Sequence, residues 1–382
     1  MKTKCVLLLY YYYHHHNMVE RMATSMKEYG VLVDVLCMDH LHLVKNSDVQ
    51  YGWCTQRVLS LFKGSSKNLV TRFFRRLFAF SMLKSIIKHY DLIDFHVFSL
   101  DYLPYMTFCK KKGITFDITL WGSDILRAKD NALKEKEYGF ENCRYIKSSD
   151  NVLAKVTEKY TGVYRKKYKT VFWGNNDYEN IDSLLETCPN VKDLMAAFLP
   201  EADNRIVVTC GYNGSKGQNH LKILESIGQL PIDTLKRVFL LLPLTYGAEE
   251  EYIQEINNAV QRIGVPYKLF TNRISSEEIA LIRVISSVVV NMQETDGFSS
   301  SLQGHLYCNN VLIIAEWLNY VPLDNANVYY IKTSIEDIRD NLATVLSNLS
   351  EYKEKCSGNH AKMAGLTSWS AVLPRWAEYY LS

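Results

Sequence analysis

The sequence predicts an α/β protein of two Rossmann-like, doubly wound domains that face each other across a cleft. Short apolar runs alternate with helical patterns along almost the whole chain, which is typical of parallel sheets with helices on both faces. At 382 residues the chain exceeds the usual size of one hydrophobic core. Its 47% of hydrophobic residues against 22% of charged ones lets each of two domains bury a core.

The first domain is predicted to span residues 1–174. It opens with the apolar run KCVLLLYY, and the next segment, NMVERMATSMKEYG, has a helical pattern that ends at Gly30. Further strands are predicted at residues 31–38, 92–98, 114–121 and 168–174. Helices between successive strands indicate parallel pairing.

The second domain is predicted at residues 204–360. A polar, helical stretch without an obvious strand, residues 175–203, is predicted as the linker, and residues 361–382 as a C-terminal helix that crosses back to the first domain. Strands are predicted at residues 205–211, 237–244, 267–272, 287–293, 311–316 and 328–331. Helices are predicted at about residues 218–229, 249–263, 275–286 and 299–308.

Membrane spans, secretion signals and disulfide frameworks are not indicated. No uncharged apolar run reaches 18 residues, and the N-terminus lacks the pattern of a signal peptide. Nine scattered cysteines without a CxxC pair argue against both a disulfide framework and a zinc site. We therefore expect a cytoplasmic protein without a metal site.

The charge is divided unevenly along the chain. Residues 1–174 hold 28 Lys and Arg against 16 Asp and Glu, whereas residues 175–382 hold 16 against 25. An anionic partner is therefore expected for the first half and not for the second.

The segment CGYNGSKGQNH, residues 210–220, lies between an apolar strand and a predicted helix. Gly211, Gly214 and Gly217 let the backbone turn and approach a ligand closely, and the helix start offers unpaired amides. Lys216 adds a mobile positive charge. This pattern predicts an anion site, most simply for a diphosphate; an ordinary glycine-rich turn with a solvated lysine is the alternative.

A second polar loop, within NMQETDGFSSSLQGHL, follows another apolar strand. It brings Glu294 and Asp296 into a turn, and Ser299 to Ser301 begin a helix. Carboxylates can hold sugar hydroxyls, and serines at a helix start can present amides to phosphate. Acidic turn residues with ordinary helix caps explain the same pattern.

Together the two loops resemble the donor domain of GT-B glycosyltransferases, especially the large bacterial group among them that uses nucleotide sugars. Lys216 and Gly217 match the basic residue and KG of the family's first loop, and Asp296, Gly297 and Phe298 match the start of its acidic motif. The resemblance implies a nucleotide-diphosphate sugar as donor, with no cofactor and no required metal. The donor-binding residues are then Gly211, Asn213, Gly214, Lys216, Gly217, Asp296, Gly297, Phe298, Ser299, Ser300 and Gln303.

Two positions depart from the family pattern. An arginine usual in the first loop is missing, and Gly304 stands where most members have a glutamate that is thought to hold the donor ribose. Gln303 is the candidate substitute, although it lies about 100° away around a helix. A nucleotide-sugar-binding protein without catalysis therefore stays open as an alternative, and so does a sugar-nucleotide epimerase, which shares the two-domain architecture.

Acceptor-side residues are predicted in the first domain. The resemblance places His96, at a strand end, near the acceptor, and Trp121 lies in the turn after another strand. Asp124 is either a general base or a helix cap, and His96 either contacts the acceptor or is a structural residue. In YYYYHHHN, the loop after the first strand, Tyr13, His14 and Asn17 either contact a sugar or pack structurally.

A basic amphipathic segment, NLVTRFFRRLFAFSMLKSIIKHY, suits an anionic membrane surface. Its basic residues are Arg72, Arg75, Arg76, Lys84 and Lys88. A buried helix with a solvated basic edge is the alternative, and nucleic acid is not expected because no recognisable binding module accompanies the charge.

The sequence thus predicts a glycosyltransferase of cell-surface polysaccharide synthesis. It would move a sugar from a nucleotide-diphosphate donor to a glycan or lipid-linked acceptor in the cytoplasm, with peripheral contact at the inner membrane face. Its predicted catalytic residues are His96, Asp124, Glu294 and Asp296.

Overall fold

A computed structural model describes residues 3–11, 16–62 and 80–382. The chain forms two compact units: Met1–Gly174 together with Trp369–Ser382, and Asn175–Ser368. Each unit is an α/β body built on a mostly parallel sheet. The two-domain Rossmann-like architecture predicted from the sequence is confirmed.

The sheet of the first unit, as far as the structure describes it, has the order β3-β2-β1-β4-β5-β6-β7, and only β3 is antiparallel to its neighbour. Its two N-terminal strands are largely apolar and mostly buried because helices cover both faces, although the second of them contains the buried Asp34. The strands are β1 (Lys4–Tyr10), β2 (Val31–Cys37), β3 (His42–Val44), β4 (Leu92–His96), β5 (Phe116–Thr119), β6 (Ile146–Ser148) and β7 (Tyr168–Thr170).

Two buried clusters cover the faces of this sheet. One contains Met22 and Val19 with Trp376 and Tyr380 of the C-terminal helix, so the end of the chain completes the core of the first unit. The helices of this unit are α1 (His16–Ser25), α2 (Trp53–Phe62), α3 (residues 80–87), α4 (Leu103–Lys112), α5 (Ser123–Leu126), α6 (Asp130–Asn142), α7 (Asp150–Lys159) and, from the end of the chain, α19 (Trp369–Leu381).

The second unit has a parallel sheet in the order β10-β9-β8-β11-β12-β13. The strands are β8 (Ile206–Cys210), β9 (Val238–Pro243), β10 (Tyr267–Phe270), β11 (Val288–Asn291), β12 (Val311–Ala315) and β13 (Ile331–Thr333). The sequence predicted the first five, because each is an apolar run between polar loops, whereas the predicted strand at residues 328–331 shares only Ile331 with β13.

Helices cover the sheet of the second unit, and their ends follow local sequence signals. Gly264 ends α12 in the left-handed conformation, and Ser275 with Glu278 forms a capping box at the start of α13. The helices are α8 (Asp177–Thr187), α9 (Val191–Phe198), α10 (His220–Gly228), α11 (Ile232–Leu235), α12 (Glu250–Ile263), α13 (Ser276–Ile285), α14 (Ser300–Tyr307), α15 (Val321–Asn325), α16 (Ile338–Ser347), α17 (Leu349–Cys356) and α18 (Asn359–Thr367).

Two predicted boundaries differ from the structure. The predicted linker, residues 175–203, forms α8 and α9, which pack against α13 inside the second unit. The return to the first unit begins at Trp369 and not at residue 361, because α18 packs against α14. Amphipathic helices docked on a sheet and polar connecting segments have similar compositions, so the sequence did not separate them.

Within the part of the chain that the structure describes, no helix combines the length and the apolarity needed to cross a bilayer.

Candidate functional site

The strand order of the second unit reverses between two neighbouring central strands. The strands β8 and β11 are neighbours, but the chain continues from β8 towards β9 on one side and from β11 towards β12 on the other. Ligands of open α/β sheets bind outside the carboxyl ends of the strands at such a reversal of strand order. The loops after β8 and β11 are the two polar loops singled out from the sequence.

Close packing requires the first two glycines of the β8 loop. Gly211 has φ of +67°, and a Cβ there would lie 2.7 Å from Nε2 of His220. A Cβ on Gly214 would lie 2.3 Å from the Cβ of Ala248 and 2.9 Å from its backbone nitrogen. A side chain at Gly211 would be strained and would clash with the His220 and Gln218 side chains, and one at Gly214 would displace the Ala248 backbone, so both glycines fix the path of the loop.

Hydrogen bonds join the β8 loop to the β11 loop. The amide of Glu294 donates to the carbonyl of Gly217 at 2.8 Å. The side-chain amide of Asn219 donates to the carbonyl of Met292, also at 2.8 Å. The two loops therefore act as one surface, and a Cβ added at Gly217 would have Glu294 Oε2 as its nearest neighbour at 3.5 Å.

The two acidic residues of the β11 loop have different surroundings. Asp296 is buried and accepts hydrogen bonds from the Tyr320 hydroxyl at 2.5 Å, the Ser299 amide at 3.1 Å and the Tyr212 hydroxyl at 3.3 Å. Glu294 is exposed. Asp296 therefore holds the loop in place, whereas the Glu294 carboxylate faces solvent at the switch point.

The start of α14 is partly occupied by the chain itself. The Ser299 hydroxyl caps the helix by accepting from the Leu302 amide at 3.4 Å. Ser300 is exposed, so the first turn still presents polar groups to solvent. Gln303 is buried and donates to the Phe298 carbonyl at 2.9 Å, so its side chain is turned into the protein.

Lys216 lies on the outer side of the β8 loop. Its side chain is 65% exposed, with Nζ 3.7 Å from a Glu249 carboxylate oxygen and 5.7 Å from the centre of the Tyr252 ring. An exposed ion pair of this kind contributes little stability, roughly 0–1 kcal/mol. The lysine can therefore leave Glu249 for an arriving anion at small cost.

At Gly304 the structure shows a neighbour that sequence reasoning missed. A Cβ on Gly304 would lie 3.1 Å from Nε of the buried Arg283. The guanidinium lies 2.9 Å from Nε2 of His305 and 3.8 Å from Asp177, and burial lowers its pKa. This chain thus packs a guanidinium beside the position where the resembling family has a carboxylate, and a single arginine within an apolar helix gave no sequence signal.

No protein-family model and no curated protein matches this sequence. Solved structures match it over nearly its whole length. A glycosyltransferase from Rickettsia africae aligns with a TM-score of 0.74 at 13% identity, over 100% of this chain and 98% of that chain. HepE from Anabaena, solved with UDP and glucose, gives 0.67 at 12% identity, over 98% and 99%. WaaG, a glycosyltransferase involved in lipopolysaccharide biosynthesis, gives 0.64 at 11% identity over the same shares.

The chain has the GT-B fold. Identity of this order shows the architecture and does not transfer residue roles.

His96 lies inside the first GT-B unit. Its side chain has no exposed surface, its Nδ1 accepts from Nε1 of Trp121 at 3.2 Å, and its Nε2 lies 3.0 Å from Asp94. The Trp376 ring of α19 stacks over it at 5.9 Å. Burial lowers the pKa of His96, so the ring is neutral. These contacts fit the structural interpretation and leave no open face for an acceptor.

A buried charge cluster in the same unit was not foreseen. Nζ of Lys147, on β6, lies 2.6 Å from Asp94 and 3.1 Å from Asp117. Burial by itself raises the pKa of Asp94, but the charge of Lys147 and the contact with the His96 ring hold it well below its usual value. The Tyr380 hydroxyl of α19 donates to Asp94 at 2.7 Å, so the cluster also anchors the C-terminal helix.

Asp124 fastens the turn at the start of α5. Its carboxylate accepts from the amides of Phe98 at 2.8 Å, Gly122 at 2.9 Å and Trp121 at 3.1 Å. Burial raises its pKa. With three amides bound, the side chain ties the segment after β4 to the turn after β5, which fits a structural role better than a general base. The half-buried Trp121 ring packs against Trp173 at 4.9 Å.

Of the predicted loop after β1, Asn17 is exposed in the first turn of α1, and Tyr13 and His14 lie outside the described residues. Arg72, Arg75 and Arg76 of the basic segment also lie outside them. The described part, α3, buries Met82, Leu83, Ile86 and Ile87 in the core. Lys84 lies at its edge, with Nζ 3.8 Å from the centre of the Phe80 ring, and Lys88 is exposed.

Proposed function

We propose that this chain is a glycosyltransferase that takes a sugar from a nucleoside diphosphate sugar bound at the β8 and β11 loops. The observation that carries the proposal is the exposed Glu294 carboxylate, held beside Gly217 at the topological switch point by the bond from the Glu294 amide to the Gly217 carbonyl. UDP is the first nucleotide to test, because HepE has been solved with UDP and glucose.

The two loops bind different parts of the donor in this proposal, and both contribute to the diphosphate site. The Gly217 backbone, Lys216 and the first turn of α14 stabilise the diphosphate, which gains negative charge as the bond from the sugar C1 to the phosphate oxygen breaks. Glu294 accepts hydrogen bonds from donor hydroxyls. The acceptor oxygen forms the new bond to C1 and loses its proton to solvent, and the nucleoside diphosphate departs as the leaving group. No divalent ion is needed at the diphosphate, so EDTA should leave transfer unchanged.

A glycan or lipid-linked acceptor of cell-surface polysaccharide synthesis is the acceptor class we propose. Support comes from the similarity to WaaG, which is involved in lipopolysaccharide biosynthesis, and from the excess of basic residues in residues 1–174. A peripheral contact with an anionic membrane on the cytoplasmic side would bring such an acceptor to the enzyme.

The first experiment is a thermal-shift and calorimetric screen against UDP, GDP, dTDP, ADP and CMP, with magnesium or with EDTA. A ligand that binds only the folded state raises the unfolding temperature. We expect one diphosphate to do so in either buffer, and Lys216→Ala to weaken its binding by about 1.5–3 kcal/mol. Lys222→Ala, also exposed but on the side of α10, is the matched control. No shift with any nucleotide at millimolar concentration would refute the donor site.

A second candidate, a nucleotide-sugar-binding protein without catalysis, is favoured by one observation. Gly304 and the adjacent Arg283 replace the carboxylate expected by the family resemblance. Incubation of the nucleotide-bound protein with the matching nucleotide sugar separates the two candidates. Release of UDP, by transfer or by slow hydrolysis, supports the enzyme, whereas tight binding without release supports the binding protein.

A further inference from the structure

Three side chains with different ligand atoms meet at the carboxyl end of β2 in the first unit. Cys37 is the last residue of β2, and Asp39 and His40 follow in the next turn. Sγ of Cys37 lies 2.8 Å from Oδ1 of Asp39, and Nδ1 of His40 lies 2.7 Å from the same oxygen. One thiol, one carboxylate and one imidazole thus share a space small enough for a single metal ion.

Solvent reaches the cluster at Asp39 and His40. The Cys37 side chain is buried, whereas the Asp39 and His40 side chains are 41% and 26% exposed. An ion can therefore arrive from solvent between Asp39 and His40 and reach the sulfur without opening the core. The cluster follows the carboxyl end of β2, and the carboxyl ends of the strands are where α/β proteins bind ligands.

A second, independent feature lies beneath the thiol. Tyr10 is the partner of Cys37 in the pairing of β1 with β2, and its buried hydroxyl lies beside the sulfur. Within the described residues, this hydroxyl has no partner of hydrogen-bond geometry. Buried hydroxyls are rarely left in this state, because the lost hydration is not recovered. A thiolate at Cys37 would accept a hydrogen bond from this hydroxyl and so supply the missing partner.

We infer that Cys37, Asp39 and His40 form a binding site for a divalent transition ion of the zinc type, with Tyr10 supporting the sulfur ligand. The mixed thiolate, imidazole and carboxylate set suits Zn²⁺ or Co²⁺ and not Mg²⁺ or Ca²⁺, which prefer oxygen ligands alone. Three protein ligands leave the fourth position to water or to a ligand group.

The geometry requires a small rearrangement. Around a tetrahedral zinc with the usual bond lengths, ligand atoms lie about 3.3–3.6 Å apart. Asp39 Oδ1 must therefore retreat by roughly 0.5–1 Å from both neighbours, which an exposed side chain can do by rotation. On binding, the thiol loses its proton to solvent, the sulfur and the ion form a bond, and the two hydrogen bonds to Asp39 give way to metal bonds.

The absence of a CxxC pair in the sequence argued against a zinc site. Here the ligands come from one turn, CMDH, whose spacing is not a common zinc signature. The three ligands come together because Cys37 lies at the end of a strand and its side chain contacts Asp39 in the following turn.

The test uses the purified full-length protein, stripped of metal with a chelator and titrated with Co²⁺. We expect saturable near-ultraviolet absorption from thiolate-to-cobalt charge transfer, with one Co²⁺ bound per chain through sulfur, displaced by Zn²⁺ and unaffected by Mg²⁺. Histidines elsewhere bind cobalt without this absorption, so it reports a thiolate ligand. Cys37→Ser should abolish it, and Asp39→Asn or His40→Gln should weaken Co²⁺ binding by at least about tenfold.

Controls distinguish this site from other thiols. Cys54→Ser removes an exposed cysteine and should leave the absorption intact, and Tyr10→Phe should weaken binding by about tenfold without removing the band. Circular dichroism checks that each variant is folded. If the core variant Cys37→Ser is unstable, His40→Gln still tests the site, because His40 is partly exposed. No charge-transfer band at millimolar Co²⁺, or a band that survives both Cys37→Ser and His40→Gln, would overturn the inference.

Discussion

At the residue scale, exposure separates the two acidic residues of the β11 loop. Asp296 is engaged by two tyrosine hydroxyls and an amide, whereas Glu294 meets solvent beside Gly217. We therefore expect Glu294→Gln to weaken binding of the nucleotide sugar by about 1.5–3 kcal/mol, the typical value of a hydrogen bond to a charged group, and to leave the affinity for the nucleoside diphosphate unchanged. Isothermal calorimetry with both ligands measures the difference.

Glu225→Gln, an equally exposed change on α10, is the matched control and should alter neither affinity. If Glu294→Gln weakens both ligands alike, the carboxylate supports the loop and does not contact the sugar.

Substitution by alanine should have different effects at two glycines of the β8 loop, lowering stability at one and weakening ligand binding at the other. Gly214→Ala places a Cβ against Ala248 backbone and should destabilise the protein by about 1–3 kcal/mol. Gly217→Ala meets only ordinary contact, at 3.5 Å, so stability should be unchanged, but the methyl group enters the space of the diphosphate and should weaken UDP binding about tenfold. Urea unfolding measures the stability of both variants, and calorimetry measures their affinity for UDP. If Gly217→Ala bound UDP with normal affinity, the diphosphate would not lie beside Gly217.

At the residue scale, the sequence predicts the position of the two site loops better than it predicts the role of each side chain in them. Glycines, a lysine and acidic residues after apolar strands identified the two loops that meet at the switch point, because backbone turns leave compositional signals. Whether a given polar side chain faces solvent or the interior depends on the neighbouring elements. The resemblance placed His96 near an acceptor, yet the structure covers it with Trp376, which is 280 residues away in the chain.

At the scale of elements, α19 is fastened by a buried charge. The Tyr380 hydroxyl donates to Asp94, which Lys147 also contacts. Tyr380→Phe should lower the free energy of unfolding by about 1–3 kcal/mol, because a buried carboxylate loses a donor that water cannot replace. Tyr379→Phe, on the half-buried side of the same helix, should change it by less than about 0.5 kcal/mol. Equal effects in denaturant titrations would show that the hydroxyl bond does not anchor the helix.

Some elements could be predicted and others could not, for physical reasons. The strands β8 to β12 are apolar runs between polar loops, so periodicity found them. The strand β6 escaped notice because it is three residues long and contains Lys147, whose charge is compensated only by Asp94 and Asp117 on two other strands. No local pattern reports a partnership of that kind.

At the scale of the molecule, each unit contains buried neutral histidine: His96 in the first, His220 and His305 in the second. Burial lowers the pKa of all three, and that of His220 from 6.5 to about 4. Unfolding exposes the rings to water, where they take up protons below pH 6.5. The stabilisation is therefore complete above that pH and is lost as the pH falls towards 4.

For His220 the shift corresponds to about 3 kcal/mol of stability lost between neutral pH and pH 4. Native-state hydrogen exchange in peptides of β8 and α10, recorded without nucleotide at pH 7, 6 and 5, follows the second unit by itself, which a global unfolding curve of two units would not. We expect His220→Gln to be less stable at pH 7 but to lose less stability on acidification. His89→Gln, which changes an exposed ring, should keep the original slope. If His220→Gln kept that slope too, the acid sensitivity would belong to the other buried groups, and His220 would already be protonated or solvated in the folded protein.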